Sequence, residues 1–144
     1  MRKLVILMAA AALLSAGCGS SNKNDNPTVG ATATTVGSPV SLPAGTASHG
    51  TAKASDGMDV ELDNFYFGPN VIQATAGQAF TVHLANEGSA AHTFTIDSLG
   101  IDVKLDPDQK MDVTITAPAT AGTIQFYCRF HQASQNMQGV LVVA

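Results

Sequence analysis

The stretch GTIQFYCRFHQASQNMQGVLVV, residues 122–143, places two apolar runs on either side of a polar loop. Ile124, Phe126 and Cys128 alternate with Gln125 and Tyr127, the period-two pattern of a strand with one buried face. Val140-Leu141-Val142-Val143 is short, rich in β-branched residues and bounded by Gly139, so it reads as a second strand. Between the two strands, Cys128, His131 and Met137 fall on one loop. Thiolate, imidazole and thioether together form a soft donor set.

Upstream, the same short alternation recurs. Met58, Val60 and Leu62 share one face, with Phe65-Tyr66-Phe67 close behind; Phe80, Val82 and Leu84 share another. His92, Phe94 and Ile96 follow, and then Met111, Val113 and Ile115. Turn-forming clusters separate the runs at Gly68-Pro69-Asn70, Ala76-Gly77, Asn86-Glu87-Gly88, Asp106-Pro107-Asp108 and Ala117-Pro118. No helical periodicity of useful length competes with them. Roughly six or seven short strands over residues 56–144 predict an all-β fold, an antiparallel sandwich or barrel.

The chain before this domain divides in two. Arg2 and Lys3, the apolar run from Leu4, and the small residues Ser15-Ala16-Gly17 lay out a secretory signal over residues 1–17. The apolar run is shorter than the roughly 20 residues that span a bilayer. Leu14-Ser15-Ala16-Gly17-Cys18 resembles the lipobox of bacterial lipoproteins, with the leucine one place earlier than the usual pattern; the resemblance implies a lipidated Cys18 as the mature N-terminus. Residues 18–55 are mostly Ser, Asn, Thr, Gly, Ala and Pro without an aromatic residue, and predict a flexible linker in which His49 is solvated. These features together predict an exported protein, anchored by lipid to a membrane and facing the periplasm or the cell exterior.

Charge narrows the partners. Seven Lys plus Arg oppose eleven Asp plus Glu, a net charge of −4, which excludes a basic nucleic-acid footprint. Residues 56–144 carry ten acids against Lys104, Lys110 and Arg129, so their field favours a basic partner protein and a salt-dependent association.

Cysteine arithmetic then sharpens the site. With Cys18 lipidated or removed, Cys128 has no disulfide partner. A free thiol in an oxidising compartment is a liability unless it is buried, catalytic or bound to metal. Three strong ligands and a weak axial thioether describe a blue-copper electron-transfer site. His92 can supply the remaining imidazole, because it shares a face with Phe94 and Ile96 and therefore points inward. His83 alternates opposite to Phe80, Val82 and Leu84, and is expected to face solvent.

Three features in order, Asn86-Glu87-Gly88 leading to His92-Thr93-Phe94, then Phe126 to His131, then Met137-Gln138-Gly139 entering a Val-rich strand, resemble the cupredoxin family, in particular its small plastocyanin-like members. The resemblance covers roughly residues 58–144. It implies a Greek-key β-sandwich that binds one type 1 copper and relays single electrons between redox partner proteins. It also implies His92 and His131 as the imidazole ligands, Cys128 as the thiolate and Met137 as the axial thioether. Five residues separate His131 from Met137, slightly more than in the commonest short loops of similar proteins, so Gln135 or a backbone carbonyl is the alternative axial donor. Thr93 is a candidate for steadying the ligand loop through hydrogen bonds.

Two further function classes compete with a membrane-tethered electron carrier. Copper handling would exchange the ion rather than the electron, and the Met-rich or His-rich tracts that would support it are absent from the sequence. An enzyme is not expected: a thiol enzyme needs further general-base or oxyanion features, and four histidines, one in the tail, are too few for a multicopper oxidase. Zinc is disfavoured because structural zinc prefers Cys and His to Met.

Overall fold

The computed structural model describes residues 40–144. The expected signal segment, Cys18 and the linker up to residue 39 lie outside the described residues. No helix among the described residues is long and apolar enough to cross a membrane.

Ten strands form two sheets among the described residues. In chain order they are β1 (Thr51–Lys53), β2 (Met58–Asp63), β3 (Tyr66–Gly68), β4 (Val71–Ala74), β5 (Ala79–Asn86), β6 (His92–Ile96), β7 (Ile101–Leu105), β8 (Lys110–Thr116), β9 (Gly122–Tyr127) and β10 (Gln138–Val143). One sheet has the order β1-β4-β10-β9-β6-β7 and the other β3-β2-β5-β8. Among the described residues the one α-helical turn, α1 (Gln132–Gln135), lies in the β9–β10 loop. The fold is thus the Greek-key β-sandwich expected.

Period-two patterning explains which faces meet. Val60, Leu62, Phe80, Val82, Leu84, Phe94, Ile96 and Phe126 are all essentially sealed from solvent between the sheets. The Phe67 ring packs edge-on against Phe94 at 5.9 Å and against Phe126 at 5.2 Å, the T-shaped geometry that the quadrupoles of aromatic rings favour. Met111 departs from the expected inward set, being 45% exposed. It lies near the start of β8, an edge strand whose buried residues are the later Val113 and Ile115. His83 faces solvent as expected and pairs with Asp112 directly across the β5–β8 ladder. That bond, and the Asp112 charge, raise the imidazole above its ordinary pKa.

Three differences from the sequence reading concern strands and boundaries. The strand count is ten rather than six or seven: β1, β3 and β4 have only three or four residues and too little alternation to register, and β7 adds a strand outside the expected runs although its Ile101, Val103 and Leu105 do alternate. Pairs joined by a direct turn, β2–β3, β6–β7 and β9–β10, are antiparallel, as expected. The pairs β1–β4, β4–β10 and β2–β5 are parallel, which the longer excursions between them permit, whereas β5–β8 and β6–β9, also distant in sequence, are antiparallel. The predicted linker extends to residue 55, yet Thr51–Lys53 pairs with Val71–Gln73, so this part of the span belongs to the sheet. His49, expected to be merely solvated, stacks on Tyr66 with ring centroids 4.1 Å apart. Stacking and backbone pairing hold these residues without the apolar pattern by which a buried strand is recognised.

Candidate metal centre

The topology brings the start of β6 and the end of β9 to one end of the larger sheet, because the two strands are adjacent and antiparallel there, with Thr95 opposite Tyr127. His92 opens β6 and Cys128 follows β9 immediately. Both are fully buried. The chain then turns back at once: the His131 and Gln132 N–H groups both donate to the Cys128 carbonyl, at 3.1 and 2.9 Å. This turn brings the His131 ring back over the thiol.

Three ligand atoms consequently face one another. His92 Nδ1 and His131 Nδ1 are 3.1 Å apart, Cys128 Sγ is 3.4 Å from His131 Nδ1 and 3.8 Å from His92 Nδ1. Among the described residues this is the group of donors close enough to share an ion. A point in their plane lies about 2.0 Å from all three, close to the metal–nitrogen and metal–thiolate bond lengths of about 2.0–2.3 Å. The residues therefore fit a small metal ion at the centre of the triangle.

Protonation favours the same role. Burial, reinforced by the neighbouring His131, pushes His92 below the ordinary imidazole pKa against the opposing pull of Asp63. Burial likewise lowers His131. Neutral imidazoles keep the lone pair that a metal requires. His92 Nε2 is buried without a hydrogen-bond partner among the described residues. Gly88 makes room for this ring edge, since a Cβ there would stand 3.1 Å from His92 Nε2 and 2.8 Å from Asn64 Oδ1.

Thr93 binds the thiolate position to the strand beneath it. Its N–H donates to Cys128 Sγ at 3.3 Å, and its hydroxyl accepts from the Arg129 N–H at 2.8 Å. The Thr95 hydroxyl lies 3.1 Å from that of Thr93 and donates to Asp102 at 2.9 Å. Arg129 Nε–H reaches the same carboxylate oxygen at 2.8 Å, closing a ring of polar contacts. The Arg129 bond, with the one from Thr95, holds the Asp102 carboxyl below the usual carboxylate range. The pairing of Asp102 with Arg129 escaped the sequence reading, because contacts between neighbouring strands leave no local spacing signal.

Met137, the expected axial donor, is fully buried, and its carbonyl accepts from the Cys128 N–H at 3.0 Å. Gln135, the alternative, is exposed to solvent. Phe65, noted only as part of an aromatic run, packs against both histidines, its ring 4.5 Å from that of His131 and 6.0 Å from that of His92. Phe130 projects outward, 47% exposed, with the Arg129 guanidinium 5.5 Å from its ring centre. The site is thus a buried pair of donors with one partly exposed imidazole beside an apolar surface residue.

A family model described as a cupredoxin-like domain matches residues 5–143. No curated protein sequence matches. Among solved structures, dithionite-reduced auracyanin from the photosynthetic bacterium Roseiflexus castenholzii is similar at 21% identity, covering 63% of this chain and 98% of that one, with a TM-score of 0.51. The metal-binding domain of the Streptococcus pneumoniae Cu(I)-exporting P-type ATPase CopA, solved with Cu(I), is similar at 16% identity, covering 68% and 99%, with a TM-score of 0.54. At these identities the likeness concerns the fold.

Proposed function

The chain belongs to the cupredoxin-like domain family, and we propose that it is a type 1 copper protein that carries single electrons outside the cytoplasm from a membrane tether at Cys18. The observation that carries this reading is the triangle of His92 Nδ1, His131 Nδ1 and Cys128 Sγ. His92, Cys128 and His131 would hold the ion, and the Met137 thioether would be a weak fourth donor. When bound, copper supplies the one-electron couple between Cu(II) and Cu(I).

The protein's own contribution is a site that neither oxidation state rearranges. His92 and Cys128 are anchored to adjacent strands, and the Thr93 N–H supports the sulfur from below. Phe65 closes one side against both imidazoles and keeps water away. His131, partly exposed beside Phe130, offers the route by which electrons leave. As a carrier the protein would make and break no substrate bond.

Copper handling is separated from electron carriage by whether the ion stays. The copper-loaded full-length protein should survive repeated reduction by ascorbate and oxidation by ferricyanide in the presence of a Cu(I) chelator, with its visible absorption returning each time. Progressive loss of copper to the chelator would favour exchange of the ion.

Phe130 tests the exit route. Phe130→Asp replaces the exposed apolar side chain beside His131 with a charge on a domain already rich in acids, so encounters between two copies meet added repulsion. Electron self-exchange between oxidised and reduced copies, read by NMR line broadening, should slow by about tenfold or more. The visible band should not change, since Phe130 supplies no ligand atom. An unaltered rate would mean that electrons leave by another face.

A further inference from the structure

Residues 43–50, Pro-Ala-Gly-Thr-Ala-Ser-His-Gly, read in sequence as tether. In the fold they run across the ligand loop and are fixed at several points. The turn closes where the Thr46 N–H donates to the Pro43 carbonyl at 3.1 Å. The side chain of Asn70, itself buried, clamps the next residues, donating to the Ala47 carbonyl at 2.7 Å and accepting from the His49 N–H at 2.8 Å. The His49 ring lies flat on Tyr66.

Two of the contacts fall on the residues that flank Met137. On one side, Gln138 Nε2 donates to the Thr46 hydroxyl at 2.7 Å. Gln138 is buried, and its amide oxygen accepts from Gln125 at 2.5 Å and from Gln132 at 3.3 Å. On the other side, Asn136 ends α1 in the left-handed conformation, and its side chain fills the space above Gly45, where a Cβ would stand 3.0 Å from Asn136 Nδ2. Gly45 has φ +81°, so the strap itself needs glycine at this point.

We propose that Gly45 and Thr46 form a strap that positions Met137 by holding the residues before and after it, an inference that rests on the reading of Met137 as the axial donor. A loop with five residues between His131 and Met137 has freedom that a shorter one lacks, and the strap removes it from outside. The buried Gln138 amide makes the coupling strong. Without the Thr46 hydroxyl its N–H has no partner in a buried place, and the side chain or the strap must move.

The test uses the full-length protein with Thr46→Val and, as the conservative variant, Thr46→Ser. In the metal-free protein, exchange of the Met137 and Cys128 amides should rise about fivefold in Thr46→Val, the change for loss of one net hydrogen bond, and stay at the wild-type rate in Thr46→Ser. In the copper-loaded protein, Thr46→Val should alter the intensity ratio of the thiolate–copper bands and raise the reduction potential, because a looser axial donor supports Cu(II) less; Thr46→Ser should do neither. Unchanged amide exchange in Thr46→Val would overturn the strap. Faster exchange with unaltered bands and potential would reduce Thr46 to a structural residue and overturn its role in positioning Met137. A wild-type protein that takes copper without a thiolate band, while Thr46→Val still loosens the loop, would sink the type 1 copper reading and leave the strap's hold on the loop standing.

Discussion

Cys128→Ser should erase the intense visible absorption of the copper-loaded protein while leaving the metal-free fold in place. The absorption requires a sulfur, and among the described residues Cys128 is the free thiol. Serine keeps an acceptor for the Thr93 N–H, so the strand ends remain joined. The exchange should cost on the order of 1–2 kcal/mol of metal-free stability. Metal binding should suffer far more. Residues that merely support a ligand cost about 10–100-fold in affinity when changed, and loss of a soft ligand itself should exceed the upper end of that range for Cu(I). The difference is measurable as stability: at about 1,000 times Kd, bound metal adds ~4 kcal/mol to the native state. For a domain of this size that raises Tm on the order of 20 °C. Copper should therefore raise the Tm of the wild-type protein strongly and that of Cys128→Ser little, as differential scanning calorimetry would read. A visible band that persists in Cys128→Ser would dismiss the thiolate as a ligand.

Most of the residues that alternate were legible before the structure, β7 being the exception. Phe80, Val82 and Leu84, or Phe94 and Ile96, announce a buried face through period two alone, and each lies in the core. His92 and Cys128 were legible for the same reason, since they extend apolar faces to the end of a strand. The structure brings both together with His131. What the sequence hid was pairing at a distance. Thr51–Lys53 is a strand because Val71–Gln73 offers it an edge, and nothing in Thr-Ala-Lys itself says so. The clamp of Asn70 on Ala47 and His49 joins residues more than twenty positions apart through one amide side chain, which leaves no periodic trace. Asp102 reaches Arg129 only because β7 and β9 flank β6. Local chemistry marked the donors, whereas the scaffold that aims them is a product of tertiary neighbours.

Gly139→Ala should be strongly destabilising, since a Cβ there meets the closest contacts of any described glycine. Gly139 pairs with Phe126 across the β9–β10 ladder. A Cβ built there would lie 2.3 Å from Phe126 Cζ and 2.5 Å from the Asn70 carbonyl oxygen. Neither neighbour can give way cheaply. Phe126 is sealed in the core between Phe67 and Phe94, and the Asn70 carbonyl accepts the Val140 N–H at 2.9 Å within the sheet. Overpacking a filled core costs about 1–3 kcal/mol and occasionally more, and here both obstacles are rigid, so a loss of about 3 kcal/mol or more follows. For a domain of this size that lowers Tm on the order of 15 °C. The damage should also reach the metal centre, because Met137, whose carbonyl receives the Cys128 N–H, is only two residues away. Gly122→Ala supplies a control within the same pair of strands. Gly122 lies at the far end of β9 opposite Val143, and a Cβ there meets nothing within 4 Å. That change should stay within about 0.5 kcal/mol of the wild type. Chemical denaturation of both metal-free variants decides the matter: if Gly139→Ala unfolds at the same denaturant concentration as Gly122→Ala, the close approach of β10 to Phe126 does not govern the fold, and the reason for glycine before the last strand must be sought elsewhere.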